Sequence, residues 1–286
     1  MSYQSIITVA SGLESDLPLL AAAAGLARQC GAQVRVLPAY PDIAAALVSF
    51  GAALKGGSDE LSERLLEGQR VQQHLLERRV SEAAARAGVA FGPRPEGGAI
   101  YVDARALIPA AALAEGAALA DLVMFSGDAA RDALALGAAF AETLLAARAP
   151  VLLVKDDQFS PGAIAVAWDG SAQAGRAVRA AAPLLRLANE IVVVQNLNDL
   201  AEQPRKPASV EALNAYLLRH GVKRVRVART EGDNVAASLL RAAREAGCGA
   251  LVAGAYGRPR LYELALGGTT RALVNASDRI NLLLAH

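Results

Sequence analysis

The sequence predicts an α/β protein built as two tandem units, each a doubly wound parallel sheet of five strands. Three observations point there. The chain has 286 residues, long for one domain and comfortable for two of roughly 100–150 residues each. Short β-rich runs alternate with longer alanine- and leucine-rich helical runs, the pattern of a parallel sheet with right-handed crossovers. The order of these runs then occurs a second time.

In the first half, strands are expected at 5–10, 33–37, 99–103, 122–126 and 151–154, separated by helices at 16–30, 59–87, 104–115 and 138–147. In the second half, strands fall at 164–168, 191–195, 224–228, 250–253 and 280–284, with helices at 172–187, 210–219, 235–246 and 270–276. Continuous apolar strands such as Val151, Leu152, Leu153, Val154 suit a sheet covered on both faces, where every side chain is buried. Gly221 and Gly249 stand just past helical runs, where a left-handed terminal residue is wanted.

The repeat is visible in the letters. Ala133 to Ala138 reads ALALGA and Glu263 to Gly268 reads ELALGG, while Thr8 to Gly12 (TVASG) parallels Val166 to Gly170 (VAWDG). The offset is 158 at the start and 130 at the end, so the first half holds 28 extra residues, assigned to 41–94 with its longer second helix. The units are read as 1–155 and 162–286, with 155–162 as the linker.

Composition narrows the function classes. Hydrophobic residues make up 53% and aromatics 4%, which favours close helix-on-sheet packing over an aromatic stacking surface. Lys+Arg 29 against Asp+Glu 28 gives a net charge of +1 and no electrostatic footprint for nucleic acid. The run Lys223, Arg224, Val225, Arg226 reads as the solvent side of a strand. Cys30 and Cys248 each sit at a helix end beside a glycine, and His74, His220 and His286 are far apart, so neither a zinc site nor a redox pair is indicated. The N-terminus lacks a basic leader, and the most apolar stretch, 108–125, holds Pro109, Glu115 and Asp121. A cytoplasmic protein with no membrane partner is the expectation.

One motif carries chemistry. After the fourth strand of the second half come Gly254 and Gly257, nine further residues, then Gly267, Gly268, Thr269 and Thr270 opening a helix. Glycines at a strand end let backbone approach a ligand closely. A helix start offers unpaired amides and a dipole that both favour an anion. Thr269 or Thr270 could cap that helix or donate a hydroxyl to phosphate. The plain alternative is that these glycines only permit tight strand-to-helix turns.

The spacing Gly-x2-Gly-x9-Gly followed by small hydroxyl residues resembles the signature of ATP-binding universal stress proteins. Asp169 matches that family's early aspartate, which contacts the nucleoside. The resemblance spans the chain as two consecutive domains and is sharp in the second. It implies a sheet whose first and fourth strands are neighbours, so that Asp169 and Gly254 flank the point where strand order reverses. It also implies ATP or another adenine nucleotide, with Mg2+, as ligand. The fifth strands, 151–154 and 280–284, would meet across a pseudo-twofold axis within one chain and cover each other's edges. A homodimer of tandems is a further assembly expectation. Two departures stand against the family pattern: Gly268 replaces the usual small polar residue after the third glycine, and Pro259 interrupts Arg258 and Arg260.

The first half departs further. Aligning Gly137 with the third glycine puts Gly127 at the second and Met124 at the first, where its side chain would project toward phosphate; Ala138 replaces the polar residue and Ser11 the aspartate. A structural role is expected for this half. The segment Ser11 to Asp16 loosely resembles the pyrophosphatase loop Ser-Gly-Gly-x-Asp-Ser, but Leu13 stands at the second glycine and the Asp-Ser order is reversed.

Two functions therefore stand side by side: a nucleotide-responsive stress module, favoured by Asp169 and Thr269, and a nucleotide-free scaffold, favoured by Gly268 and the eroded first half. No serine-nucleophile elbow, zinc-protease motif or Walker sequence is present, so no enzyme is expected beyond slow ATP hydrolysis.

Overall fold

The structure, a computed structural model, describes residues 2–39, 59–94, 96–103, 113, 115–129, 135–155, 162–201, 208–255, 268–276 and 280–286. In chain order the first half contains β1 (Ser5–Ala10), α1 (Leu17–Cys30), β2 (Gln33–Pro38), α2 (Asp59–Ala87), β3 (Ala90–Phe91), β4 (Ala99–Val102), β5 (Leu122–Ser126), α3 (Ala135–Leu145) and β6 (Val151–Val154). The second half contains β7 (Ala163–Ala167), α4 (Ala172–Leu187), β8 (Glu190–Asn196), α5 (Leu197–Ala201), α6 (Val210–Arg219), β9 (Val225–Thr230), α7 (Val235–Glu245), β10 (Cys248–Gly254), α8 (Gly268–Ala276) and β11 (Asn281–Ala285). Most of the helix expected at 104–115 lies outside the described residues.

The described strands form one continuous eleven-stranded sheet in the order β3-β4-β2-β1-β5-β6-β11-β10-β7-β8-β9, where sequence reading gave two sheets of five. The extra strand is β3, two residues that follow the long helix α2 and extend the sheet beside β4. Every neighbouring pair is parallel except β6 and β11, which run antiparallel through Leu153–Leu282, Leu152–Leu283 and Val151–Leu284. That pairing reads the same in both directions and centres on Leu152 and Leu283.

Side chains alternate across the sheet, and each row meets its own helices. One face carries Ile6, Met124, Leu152, Val166, Val193, Val252 and Leu283 beneath α1, α2, α4 and α6. The other carries Ile7, Val123, Leu153, Val192, Leu251 and Leu284 beneath α3, α7 and α8. Small residues facing the strands, such as Ala23, Ala27, Ala177 and Ala181, are fully enclosed and let helices lie close to the sheet.

Local signals explain the helix ends. Ser171 caps α4 by accepting from the Ala174 N–H at 3.1 Å, Ser209 caps α6 through Ala212 at 3.2 Å, and Asn234 caps α7 through Ala237 at 3.1 Å. Gly221 follows α6 at φ +84. After α7 the left-handed residue is Gly247, at φ +70, and not Gly249. Consequently Cys248 opens β10 instead of closing a helix.

Among the described residues, the side chains of Tyr3, Lys155 and Asn281 bind the halves together beyond the strand pair. Tyr3, buried beneath the first half, donates its hydroxyl to the Ala180 carbonyl of α4 at 2.8 Å. That helix carries Pro183 in its interior, which removes one backbone donor from the same stretch. Lys155, directly after β6, donates its backbone N–H to Asn281 Oδ1 at 2.8 Å and its ammonium to the Val274 carbonyl at 3.1 Å. Lys155 is thus a structural tie rather than the start of a solvated linker.

Candidate nucleotide site

The strand order reverses between β7 and β10: from β7 the chain continues outward to β8, and from β10 it continues to β11 on the other side. A crevice at such a switch point opens beyond the carboxyl ends of the strands. The β7–β10 register runs through Val166–Val252, which leaves Asp169 and Gly254 just past the pairing on adjacent strand ends. Because β10 and β11 are parallel, α8 between them begins at this same edge of the sheet. Gly268 and Thr269 at its start are exposed, whereas Thr270 is buried. Gly257 and Gly267, with Arg258, Pro259 and Arg260, lie outside the described residues.

Asp169 is half-buried, and its Oδ1 accepts the Ser171 N–H at 2.9 Å, a local turn that holds the carboxylate at the mouth of α4. Gly170 takes φ +74, and its carbonyl accepts the Ala208 N–H at 3.2 Å. Trp168 donates its indole N–H to the Ala208 carbonyl at 3.2 Å, so both backbone groups of Ala208 are clamped beside the crevice. On β8, two residues past the Ala167–Val194 pair, Asn196 stands level with Asp169. Its carboxamide donates to the Gly232 carbonyl at 3.0 Å and accepts the Asp199 N–H at 3.0 Å, tying together the loops after β8 and β9. Motif spacing did not reveal Trp168, Asn196 or Ala208, because each acts through a contact remote in sequence.

Gly254 is fixed by packing. A Cβ there would lie 2.6 Å from the Gln173 carbonyl carbon and 2.7 Å from the Ala174 nitrogen, both backbone atoms of α4. Gly268 differs, since a Cβ there meets nothing within 4 Å among the described residues.

The corresponding edge of the first half is closed from inside. Asp16 turns its carboxylate back into the loop after β1, where one oxygen accepts the Ser11 N–H at 2.7 Å, the Ser11 hydroxyl at 2.7 Å and the Gly12 N–H at 2.9 Å. These are the donors that a loop of this kind offers an anion, and here the anion is internal. Above it, a Cβ on Gly12 would sit 2.9 Å from the Cα of Leu76, because α2 lies directly over the loop. The long second helix therefore fills the space above β1.

The register also corrects the first-half alignment. Met124 pairs with Thr8 as Val252 pairs with Val166, so Met124 is a buried mid-strand residue and the counterpart of Gly254 is Ser126. No methionine projects toward a phosphate position. Gly127 is crowded instead by the Lys155 stem, since a Cβ there would lie 3.0 Å from that side chain's Cδ.

The histidines are dispersed, with His74 on the exposed face of α2, His220 stacked on Tyr216 at 4.1 Å, and His286 Nδ1 3.2 Å from the Ala255 carbonyl oxygen. No metal-binding cluster occurs among the described residues. Arg226 pairs with Glu190 at 3.1 Å and Arg224 with the same carboxylate at 3.9 Å, so two of the run's three cations share one local counter-charge. No helix among the described residues is long and apolar enough to cross a membrane.

Residues 162–279 match the universal stress protein family profile. The fold is similar to that of a universal stress protein from Archaeoglobus fulgidus DSM 4304, at TM-score 0.63 and 14% identity over 99% of this chain and 97% of that one. It is also similar to a functionally unknown protein from Pseudomonas aeruginosa PAO1, at TM-score 0.53 and 16% identity over 99% and 92% of the two chains. No curated protein matches the sequence. The family match therefore covers the second half of the chain, and the fold along the whole length is similar to that of a universal stress protein.

Proposed function

We propose that the chain is a stress-response module whose second half holds an adenine nucleotide and whose first half is a structural partner. The observation that carries this reading is the meeting of Asp169 and Gly254 at the switch point, on the edge from which α8 starts with Gly268 and Thr269 exposed. Amides at that helix start would take phosphate, and the Asp169 carboxylate would take the nucleoside hydroxyls. Mg2+ would neutralise phosphate charge. The internal carboxylate of Asp16 supports a single site per chain, because an anion already occupies the equivalent loop of the first half.

A second reading keeps its own support. Gly254 is required by contact with α4 whether or not a ligand binds, which suits a nucleotide-free scaffold. Thermal-shift titration with ATP, ADP, AMP and cyclic AMP, each with and without Mg2+, separates the two. The nucleotide reading expects stabilisation that grows with ligand concentration as mass action requires. An unchanged melting temperature at millimolar nucleotide would leave the scaffold.

A further inference from the structure

A second cavity lies on the sheet face opposite to Asn196, as an open groove of about 660 Å³ between β8, the sheet-edge strand β9 and the first turn of α6. Gln195, Val210, Glu211, Val227 and Arg229 line it. Gln195 and Arg229 are directly opposed across the β8–β9 ladder, and Val227 lies two residues before Arg229 on the same face. This is the face beneath α6, whereas Asn196, the next residue on β8, points to the opposite side.

Three features bear on what the groove could hold. Gln195 is 8% exposed, yet among the described residues its carboxamide has no hydrogen-bond partner. A carboxamide that ends in an open groove keeps a donor and an acceptor available to a polar guest. Secondly, Glu211 is held ionised: its own backbone amide and the Ser209 hydroxyl at the start of α6 depress its carboxyl below the usual range, with Arg229 adding to the effect. Thirdly, Arg229 and Glu211 line the same groove without forming an ion pair. Val227, 45% exposed, and Val210 supply apolar surface between them.

This pattern selects by charge. A simple anion drawn to Arg229 meets the Glu211 carboxylate, and a simple cation meets the reverse. A ligand with both charges satisfies both walls and presents an amide or carboxylate edge to Gln195. We propose that the groove binds a small zwitterion of the α-amino acid type, with its carboxylate at Arg229 and its ammonium at Glu211. The site is independent of the nucleotide reading.

The test is calorimetric titration of the full chain with glycine, glutamine and glycylglycine, against N-acetylglutamine and glutaminamide, which each lack one charge. Binding of a zwitterion is expected, with each blocked analogue weaker by about tenfold or more. The dipeptide distinguishes a free amino acid from a peptide as the source. Arg229→Met, on the exposed strand edge, should weaken the zwitterion by a similar factor but add nothing to the loss already seen with glutaminamide. Glu211→Gln should behave likewise toward N-acetylglutamine. Absence of binding at about 10 mM, equal binding of the blocked analogues, indifference to Arg229→Met, or competition by ATP would each overturn the proposal.

Discussion

Gly254 and Gly268 look alike in the motif and differ in what surrounds them. Gly254→Ala drives a Cβ into the backbone of α4 and should destabilise the fold by about 1–3 kcal/mol, read as a lower denaturation midpoint at unchanged slope. Gly268→Ala meets none of the described residues and should leave that midpoint within about 0.5 kcal/mol, so any effect on ligand binding reports the site itself. Cys248 gives a pH signature. Burial pushes its thiol up to about 11, above the ordinary value of 9.0. The folded state therefore favours the neutral thiol, and its contribution to stability is full below about pH 9 and is lost as pH rises toward 11. Cys248→Ser should flatten that decline in urea titrations run across this pH range. A stability profile that rises toward pH 11 would contradict the assignment. Asp169 was legible in the sequence because it ends a strand. Asp16 was not, because closing a loop with its own carboxylate depends on three donors whose directions no spacing rule encodes.

Among the elements, those with capping and periodicity signals were legible to the residue: α2, α4 and α6 run over the predicted ranges, as do β5 and β6. Those set by tertiary contact were not. The two-residue β3 exists because β4 offers it an edge, and α5 follows β8 where Asn196 receives the Asp199 N–H. Strand register is the clearest case. The glycine count matched Met124 to Gly254, whereas the ladder matches Ser126 to it, since loop lengths after a strand vary and pairing within the sheet does not. Helix α8 joins the candidate site to the centre of the molecule. Its start faces the crevice, and its last turn receives the Lys155 ammonium at Val274 and the Arg244 guanidinium at Ala276, at 3.1 and 2.9 Å. Cations at a helix end satisfy orphan carbonyls and oppose the dipole. Lys155→Met keeps the stem beside Gly127 and removes the charge, so a loss of about 1 kcal/mol is expected in chemical denaturation. No loss would show that the contact contributes nothing.

For the molecule as a whole, the antiparallel β6–β11 seam makes one sheet from two similar halves. Leu152, Leu153, Leu282, Leu283 and Leu284 are completely enclosed there. Residues 1–155 and 162–286 produced separately would each expose an apolar strand edge, a surface prone to pair with whatever strand is available. Mixed, they should form a one-to-one complex on size-exclusion chromatography. Halves that stay monomeric and soluble would show that the seam is incidental. Within this frame the two ends of the sheet have diverged, with the first half's loop filled by Asp16 beneath α2 and the second half's edge left with Asp169 beside Gly254. One ligand site in a twofold scaffold is the central claim, and calorimetric titration of ATP with Mg2+ tests it most directly. The expected result is one nucleotide per chain, with affinity lowered about tenfold or more by Asp169→Ala and unchanged by Ser11→Ala. Two nucleotides per chain, no heat at millimolar ATP, or equal binding by the Asp169→Ala protein would contradict it.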